Sequence, residues 1–187
     1  MDDLKLLCLC GSLRRDSLNR KLMQEGARAF RGVTDEGDLR LPLYDGDLET
    51  AQGIPEPVIR LAEQMKEADA VLIACPEYNK APPGVVKNAL DWVSRTKGQP
   101  LQGKPVAIVS ATAGRAGGER TQMVLRHMLL PFRAELLTWP EVLVGQAGDQ
   151  FDDDGKLINE INAKALTELM DRLSEAAQTQ RRNRLAA

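Results

Sequence analysis

The sequence holds one histidine and three cysteines, and that scarcity removes several chemistries at once. A nucleophilic thiol needs a base beside it, and His127 stands far along the chain from Cys8, Cys10 and Cys75. The cysteine and histidine spacing that holds zinc is missing. Cys8 and Cys10 alternate within one apolar stretch and Cys75 closes another. We read all three as reduced thiols that fill a core rather than as a disulfide framework. His127 falls in a helical pattern beside Arg126 and reads as a surface or packing residue.

Charge of one sign is lacking as well. The 25 basic and 27 acidic residues leave a net charge of −2, which gives no field to draw nucleic acid or an anionic membrane. No apolar run approaches the length of a membrane span. Met1-Asp2-Asp3 is acidic where a secretory leader is basic, so the chain reads as cytoplasmic. The basic stretch Arg181-Arg182-Asn183-Arg184 is only four residues long. We read 178–187 as a frayed tail, not a nucleic-acid arm.

What is present is a regular alternation of strand and helix patterns along 187 residues, a length that fits one domain. Short apolar runs at 4–10, 39–41, 70–75 and 106–110 read as strands. A fifth strand falls at 134–137 or at 141–144. Helical spacing follows over about 17–31, 58–67, 84–95, 120–131 and 158–176, with an Asp/Gly-rich turn at 35–38 and a loop at 42–57. Strands that alternate with helices pair in parallel through right-handed crossovers, which predicts a three-layer α/β sandwich. In the helix at 84–95, positions 85, 86, 89, 90 and 93 form one stripe and Trp92 falls beside it. That leaves Trp92 either partly exposed as an interface anchor or packed on the loop at 97–103.

Ligands of open parallel sheets bind beyond the carboxyl ends of the strands, where three loops gather the Gly, Pro, Ser, Asn and Arg of this chain. The first, 11–19, opens into a helix whose free N–H groups and dipole favour an anion. Ser12, Ser17 and Asn19 add neutral donors, and Arg14 adds a forked cation suited to phosphate. Neither a Walker A sequence nor a dinucleotide fingerprint is present, so a mononucleotide with one phosphate fits best. The second loop, 76–84, is stiffened by proline and offers Tyr78 and Asn79 to a flat heterocycle. The third, 110–118, carries glycines that allow close approach to a flat ligand.

The stretches Gly-Ser-Leu-Arg-Arg-Asp-Ser-Leu-Asn at 11–19 and Pro-Glu-Tyr-Asn at 76–79 resemble the NADPH-dependent FMN reductase family. So do the continuation through Arg95 and Leu-Pro-Leu-Tyr-Asp at 41–45. The resemblance spans residues 4 to about 175. It implies a flavodoxin-like fold, a five-stranded parallel sheet in the order 2-1-3-4-5. It also implies non-covalent FMN, with NADPH or NADH as co-substrate. Ser12, Arg14, Ser17 and Asn19 would hold the phosphate. Glu77, Tyr78, Asn79 and Lys80 would border the isoalloxazine, Thr112 would approach it from the third loop, and Leu18 and Pro76 complete the set. Lys80 stands where a small or aromatic residue is usual. The resemblance further implies a homodimer or homotetramer, with Arg120 and Glu141 as an intersubunit ion pair and Met123 in place of a tyrosine.

Flavin accepts a hydride without an acid pair or a triad from the protein, so a chain with a single histidine is coherent as a flavin enzyme. On this reading no side chain is catalytic in its own right. The activity expected is transfer of hydride from NAD(P)H to quinones, azo compounds, metal oxyanions or free flavin. A flavodoxin-type electron carrier and a flavin-binding regulatory module are the alternatives. A carrier is expected to be strongly acidic, which a charge of −2 does not match.

Overall fold

Five short segments pair into one all-parallel sheet in the order β2-β1-β3-β4-β5. A computed structural model describes residues 3–186. The strands are β1 (Leu4–Cys10), β2 (Gly32–Gly37), β3 (Ala70–Ala74), β4 (Pro105–Ala111) and β5 (Glu135–Val144). The helices are α1 (Leu18–Ala29), α2 (Gly46–Gln52), α3 (Glu56–Glu67), α4 (Gly84–Val93), α5 (Glu119–Leu129) and α6 (Glu160–Ala186). The three-layer sandwich and the 2-1-3-4-5 order are as expected.

β3 and β4 are buried at every position because helices cover both faces of the sheet. One face packs Leu6, Leu72 and Val109 against Leu22 of α1 and Leu169 and Met170 of α6. The other packs Leu7, Ile73 and Ile108 against Leu61 of α3, Leu90 of α4 and Leu125 of α5. The three cysteines are free and buried, Cys8 and Cys10 on the first face and Cys75 on the second. Burial pushes the Cys8 and Cys75 thiols up to about 12, which makes them poor nucleophiles.

Several sequence-based boundaries are corrected. The second strand is Gly32–Gly37, which takes in most of the expected turn at 35–38, and not 39–41. It is an edge strand with five of its six residues exposed, so Thr34, Asp35 and Glu36 occupy it without penalty and no apolar run marks it. Leu39 is buried, but off the ladder. The 42–57 loop contains α2, capped by Asp45, which accepts from the N–H groups of Asp47 and Leu48; having no buried residue, α2 has no stripe to read. The two candidates for a fifth strand are one. Leu137 pairs with Ala107 and Val142 with Val109, so the chain between them bulges from the sheet edge.

Trp92 is fully buried, not partly exposed. Its Nε1 donates to the Pro42 carbonyl at 2.8 Å, and its ring meets Tyr44 edge-on with centroids 5.0 Å apart. Asn88 Nδ2 donates to the same carbonyl at 2.9 Å, and Asn88 Oδ1 accepts from Tyr44 N at 2.9 Å. The segment 41–44 is thus strapped along α4, covering the side of the helix that a single stripe leaves bare. Over 178–186 the expected frayed tail is also corrected, because α6 continues to Ala186; Ala187 lies outside the described residues. Arg181 and Arg184 converge on the buried carboxylate of Asp69, at 2.7 and 3.2 Å, and pin the helix to the amino edge of the sheet.

Candidate functional site

At the carboxyl edge the first loop leaves β1 through Gly11, whose N–H donates to the Ala74 carbonyl at 2.8 Å. A Cβ there would stand 2.9 Å from Val86 Cγ2 and 3.0 Å from Pro76 Cδ, so only glycine lets the first two loops lie this close. Ser12 is buried, and its Oγ accepts from Arg14 N and from the Tyr78 hydroxyl, both at 3.4 Å. Ser17 caps α1 by accepting from Arg20 N. The positive end of a twelve-residue helix therefore faces the loop.

Asn19 has a different task from the one its donor chemistry suggests. Its Nδ2 donates to Ala111 O at 2.7 Å and its Oδ1 accepts from Ala111 N at 3.0 Å. Asn19 therefore clamps α1 to the end of β4 and brings the first and third loops together.

The second loop turns back on itself through two hydrogen bonds, Tyr78 N to Ala81 O at 3.0 Å and Ala81 N to Tyr78 O at 3.1 Å. Asn79 and Lys80 form the corner with φ of 53° and 67°, the pair of left-handed conformations of a type I′ turn. Helix α5 holds this loop from behind. Thr121 Oγ1 donates to Pro76 O at 3.1 Å, and Thr121 N donates to the Glu77 carboxylate at 3.2 Å.

The third loop is fastened by the next residue of α5. Gln122 Nε2 donates to Ser110 Oγ and to Val142 O, each at 2.9 Å, and Ser110 Oγ donates to Gly117 O at 2.6 Å. The glycines here answer to packing more than to a ligand. A Cβ on Gly117, which has φ +62°, would meet Leu143 C at 2.5 Å, whereas Gly114 has open space.

Between the loops lies a cleft of about 490 Å³, within the roughly 300–1,000 Å³ span of small-molecule sites. It is lined by Ser12, Arg14, Ser17, Leu18, Asn19, Pro76, Glu77, Tyr78 and Thr112. Asn79 and Lys80 are the two expected residues left outside its lining. Asp16, Ala111 and Ala113 line it unforeseen. Thr121, Gln122 and Ser110, which hold the loops, were equally unforeseen, since their roles depend on tertiary partners. Arg120 is exposed, and within the chain Glu141 pairs with Arg126 at 2.9 Å.

The donors fit one phosphate at the N-terminus of α1, and the flat, proline-stiffened second loop fits a ring system beside it. Among the described residues no cluster of three His, Cys, Asp or Glu side chains could hold a metal ion. Nor, among the described residues, is any helix long and apolar enough to cross a membrane.

Comparison with known proteins agrees with this geometry. The chain is 43% identical over 162 residues to an NAD(P)H-dependent FMN reductase of Pseudomonas aeruginosa, covering 85% of this chain and 87% of the relative. It is 38% identical over 171 residues to a quinone reductase of Escherichia coli K12, covering 89% and 91%. The solved structure of FerB, a flavoenzyme NAD(P)H:(acceptor) oxidoreductase of Paracoccus denitrificans, superposes with a TM-score of 0.84 at 33% identity, covering 94% and 98%. A profile of the NADPH-dependent FMN reductases matches residues 4–149, which takes in all three loops, and the chain belongs to that family.

Proposed function

We propose that this protein is an FMN-dependent NAD(P)H oxidoreductase that reduces quinones or free flavin. One observation carries the reading: three loops at the carboxyl edge of the sheet, held by Asn19, Thr121 and Gln122, enclose a single cleft with one phosphate-binding corner. When bound, FMN supplies the hydride-accepting and hydride-donating chemistry. The chain's own residues bind and orient it. Arg14 and the N–H groups at the start of α1 neutralise the phosphate, with Ser12 and Ser17 as buried hydroxyls beside them. Pro76, Glu77 and Tyr78 border the ring, and Glu77 does so through backbone, because its carboxylate is occupied by Thr121 N. Thr112 limits the cleft on the third-loop side, with its hydroxyl turned to Gly114 O at 3.2 Å.

We extend the proposal to azo compounds and metal oxyanions as acceptors, since the cleft between the three loops is open. A cytoplasmic setting fits the three buried free thiols and the NAD(P)H requirement. For the homodimer or homotetramer, the exposed apolar residues Met123 and Leu130 of the α5 segment and Trp139 of the β5 bulge offer the surface that buried Trp92 does not.

The test is spectroscopic. The purified protein is expected to release FMN on denaturation, to lose its flavin absorption band anaerobically with NAD(P)H, and to regain it with benzoquinone. Steady-state plots against both substrates should be parallel, because one open face serves each in turn. FAD as the released flavin, or a flavin that NAD(P)H does not bleach, would overturn the reading.

A further inference from the structure

The carboxyl end of β4 is finished by a side chain rather than by a strand. Thr112 N donates to Val144 O and Thr112 O accepts from Ala147 N, both at 2.9 Å, so residue 112 bonds on the β5 side. Successive residues of a strand bond on opposite sides, which turns the N–H and carbonyl of Ala111 towards β3. β3 has ended by then. Its pairing with β4 stops at Ala74 and Val109, Cys75 N adds a bond to Val109 O at 2.9 Å, and the chain leaves as the second loop. The Asn19 amide takes the place of the missing strand, its donor and acceptor matched to Ala111 at 2.7 and 3.0 Å. Asn19 is 3% exposed, so water competes little for these groups.

The same residue stands in the phosphate corner. Leu18 and Asn19 open α1, and the N–H groups of a first turn have no helical carbonyl to receive them. The backbone of Asn19 therefore belongs to the anion-binding end of the cleft. Its side chain fixes Ala111, whose neighbour Thr112 is the wall on the third-loop side. Among the described residues no other hydrogen bond joins α1 to β4 or to the third loop. A ligand held at its phosphate by α1 and at its ring by the other loops gains fully from both contacts only when their spacing matches its own length. The second contact is then made at high effective concentration, with little left to reorganise.

We propose that Asn19 is a positioning residue: it sets the distance between the phosphate corner and the third loop, and so determines how much the phosphate of FMN adds to the affinity of the bare ring. The inference rests on the FMN reading above. It replaces the phosphate-ligand role that the motif suggests for the Asn19 side chain.

Asn19→Asp breaks the clamp reversibly. Protonated, the introduced carboxyl keeps a donor for Ala111 O and an acceptor for Ala111 N; ionised, it sets an oxygen against Ala111 O. Burial favours the protonated form, so ionisation is expected only well above the ordinary carboxylate range. The full-length apoprotein, wild type and variant, is titrated calorimetrically with FMN, with riboflavin and with inorganic phosphate at about pH 6 and about pH 8.5. Against the wild type at the same pH, the ionised variant should bind riboflavin and inorganic phosphate within about threefold. FMN should bind at least about tenfold more weakly, the scale of one charge-assisted contact that no longer reaches its place. At about pH 6 the FMN loss should shrink to within about threefold, because the clamp closes again. Where the ionised variant does not fold, Asn19→Gln decides. It keeps the amide on a stem one methylene longer, so both bonds form at an altered spacing and the same pattern across the three probes is expected. Equal losses for FMN and inorganic phosphate would make the side chain a phosphate ligand. Equal losses for FMN and riboflavin, or no loss for either, would make it a packing residue. Each of these results overturns the inference. Failure of the FMN reading looks different: the wild-type apoprotein would then bind neither flavin.

Discussion

The two ends of the same parallel ladder are finished in opposite ways. At the carboxyl edge, Ser12, Ser17 and the start of α1 leave donors facing an open cleft, with Arg14 unpaired beside them. At the amino edge the two buried charged groups, Asp69 and Lys104, both have partners. Asp69 accepts from Lys5 N at 2.9 Å, from Arg181 and from Arg184, and Lys104 donates to the Lys66 and Ala68 carbonyls. Saturated polar groups hold a structure together, and unsatisfied ones facing water hold a ligand. The comparison therefore predicts that substitutions at the amino edge change stability and leave FMN affinity alone, while loss of an unpaired group facing the cleft does the reverse.

The largest effect should come from Asp69→Ala. Removing one partner of a buried ion pair costs about 3–5 kcal/mol, and we expect about 3, because Arg184 is half exposed and can turn to water. Urea unfolding measures the loss, and hydrogen exchange should rise over residues 178–186 as α6 loses its anchor. FMN affinity should stay within about twofold, far below one lost charge-assisted bond. A loss of FMN in step with stability would mean that the two edges are not independent.

Next is Arg14→Ala, set against Arg15→Ala. Loss of a hydrogen bond to a charged group is worth about 1.5–3 kcal/mol, so Arg14→Ala should weaken FMN binding roughly 10- to 150-fold with little change in the unfolding midpoint. Arg15, whose side chain is 94% exposed and which is absent from the cleft, should lose much less. Titration of the apoprotein with FMN reads both. Equal losses would point to a diffuse basic field rather than a contact.

The contrast between the edges also explains what the sequence revealed. The cleft was legible because its signals are local: glycine, serine and arginine at the end of an apolar run, and a long motif at 76–79. The amino edge was not, because Asp69 acquires meaning only from arginines more than a hundred residues away, so a basic tail looked frayed. Trp92 was misplaced for the same reason, since its cover, Pro42 and Tyr44, comes from a segment that reads as loop. β2 stayed hidden because an edge strand needs no apolar run. Thr121 and Gln122 follow a glycine-rich loop with no signature spacing, and only the fold shows that adjacent residues secure two different loops.

A smaller effect concerns pH at the saturated edge. Burial, reinforced by Arg184, lowers the Lys104 pKa from 10.5 to about 8. The folded-state value lies below the unfolded one, so between the two the unfolded chain holds the extra proton. Stability from this group therefore rises with pH through that window. Denaturant midpoints from pH 7.5 to 10.5 should show the rise in the wild type, and Lys104→Met should remove it. FMN affinity should not follow Lys104 over the same range. An unchanged pH slope in the variant would mean that the lysine is solvated in the native state.

The smallest expected effect sharpens the comparison at the open edge itself. Lys80 holds φ at 67°, a left-handed conformation that costs a residue with a Cβ about 1–2 kcal/mol, and its side chain lies outside the cleft lining. Lys80→Gly would turn the corner into the Asn-Gly pair that type I′ turns favour. Part of the relief is offset by the greater freedom of glycine in the unfolded chain, so the net gain should be about 0.5–1 kcal/mol. The turn keeps its two hydrogen bonds between Tyr78 and Ala81, so FMN affinity and quinone turnover should hold. This substitution at the carboxyl edge would alter stability and not binding, because the strain lies in the backbone and not in a group facing the ligand. Unfolding midpoints measured alongside FMN titration decide it. A loss of FMN affinity or a changed acceptor preference in Lys80→Gly would show that the ammonium reaches over the cleft when flavin is bound, and would return Lys80 to the binding set.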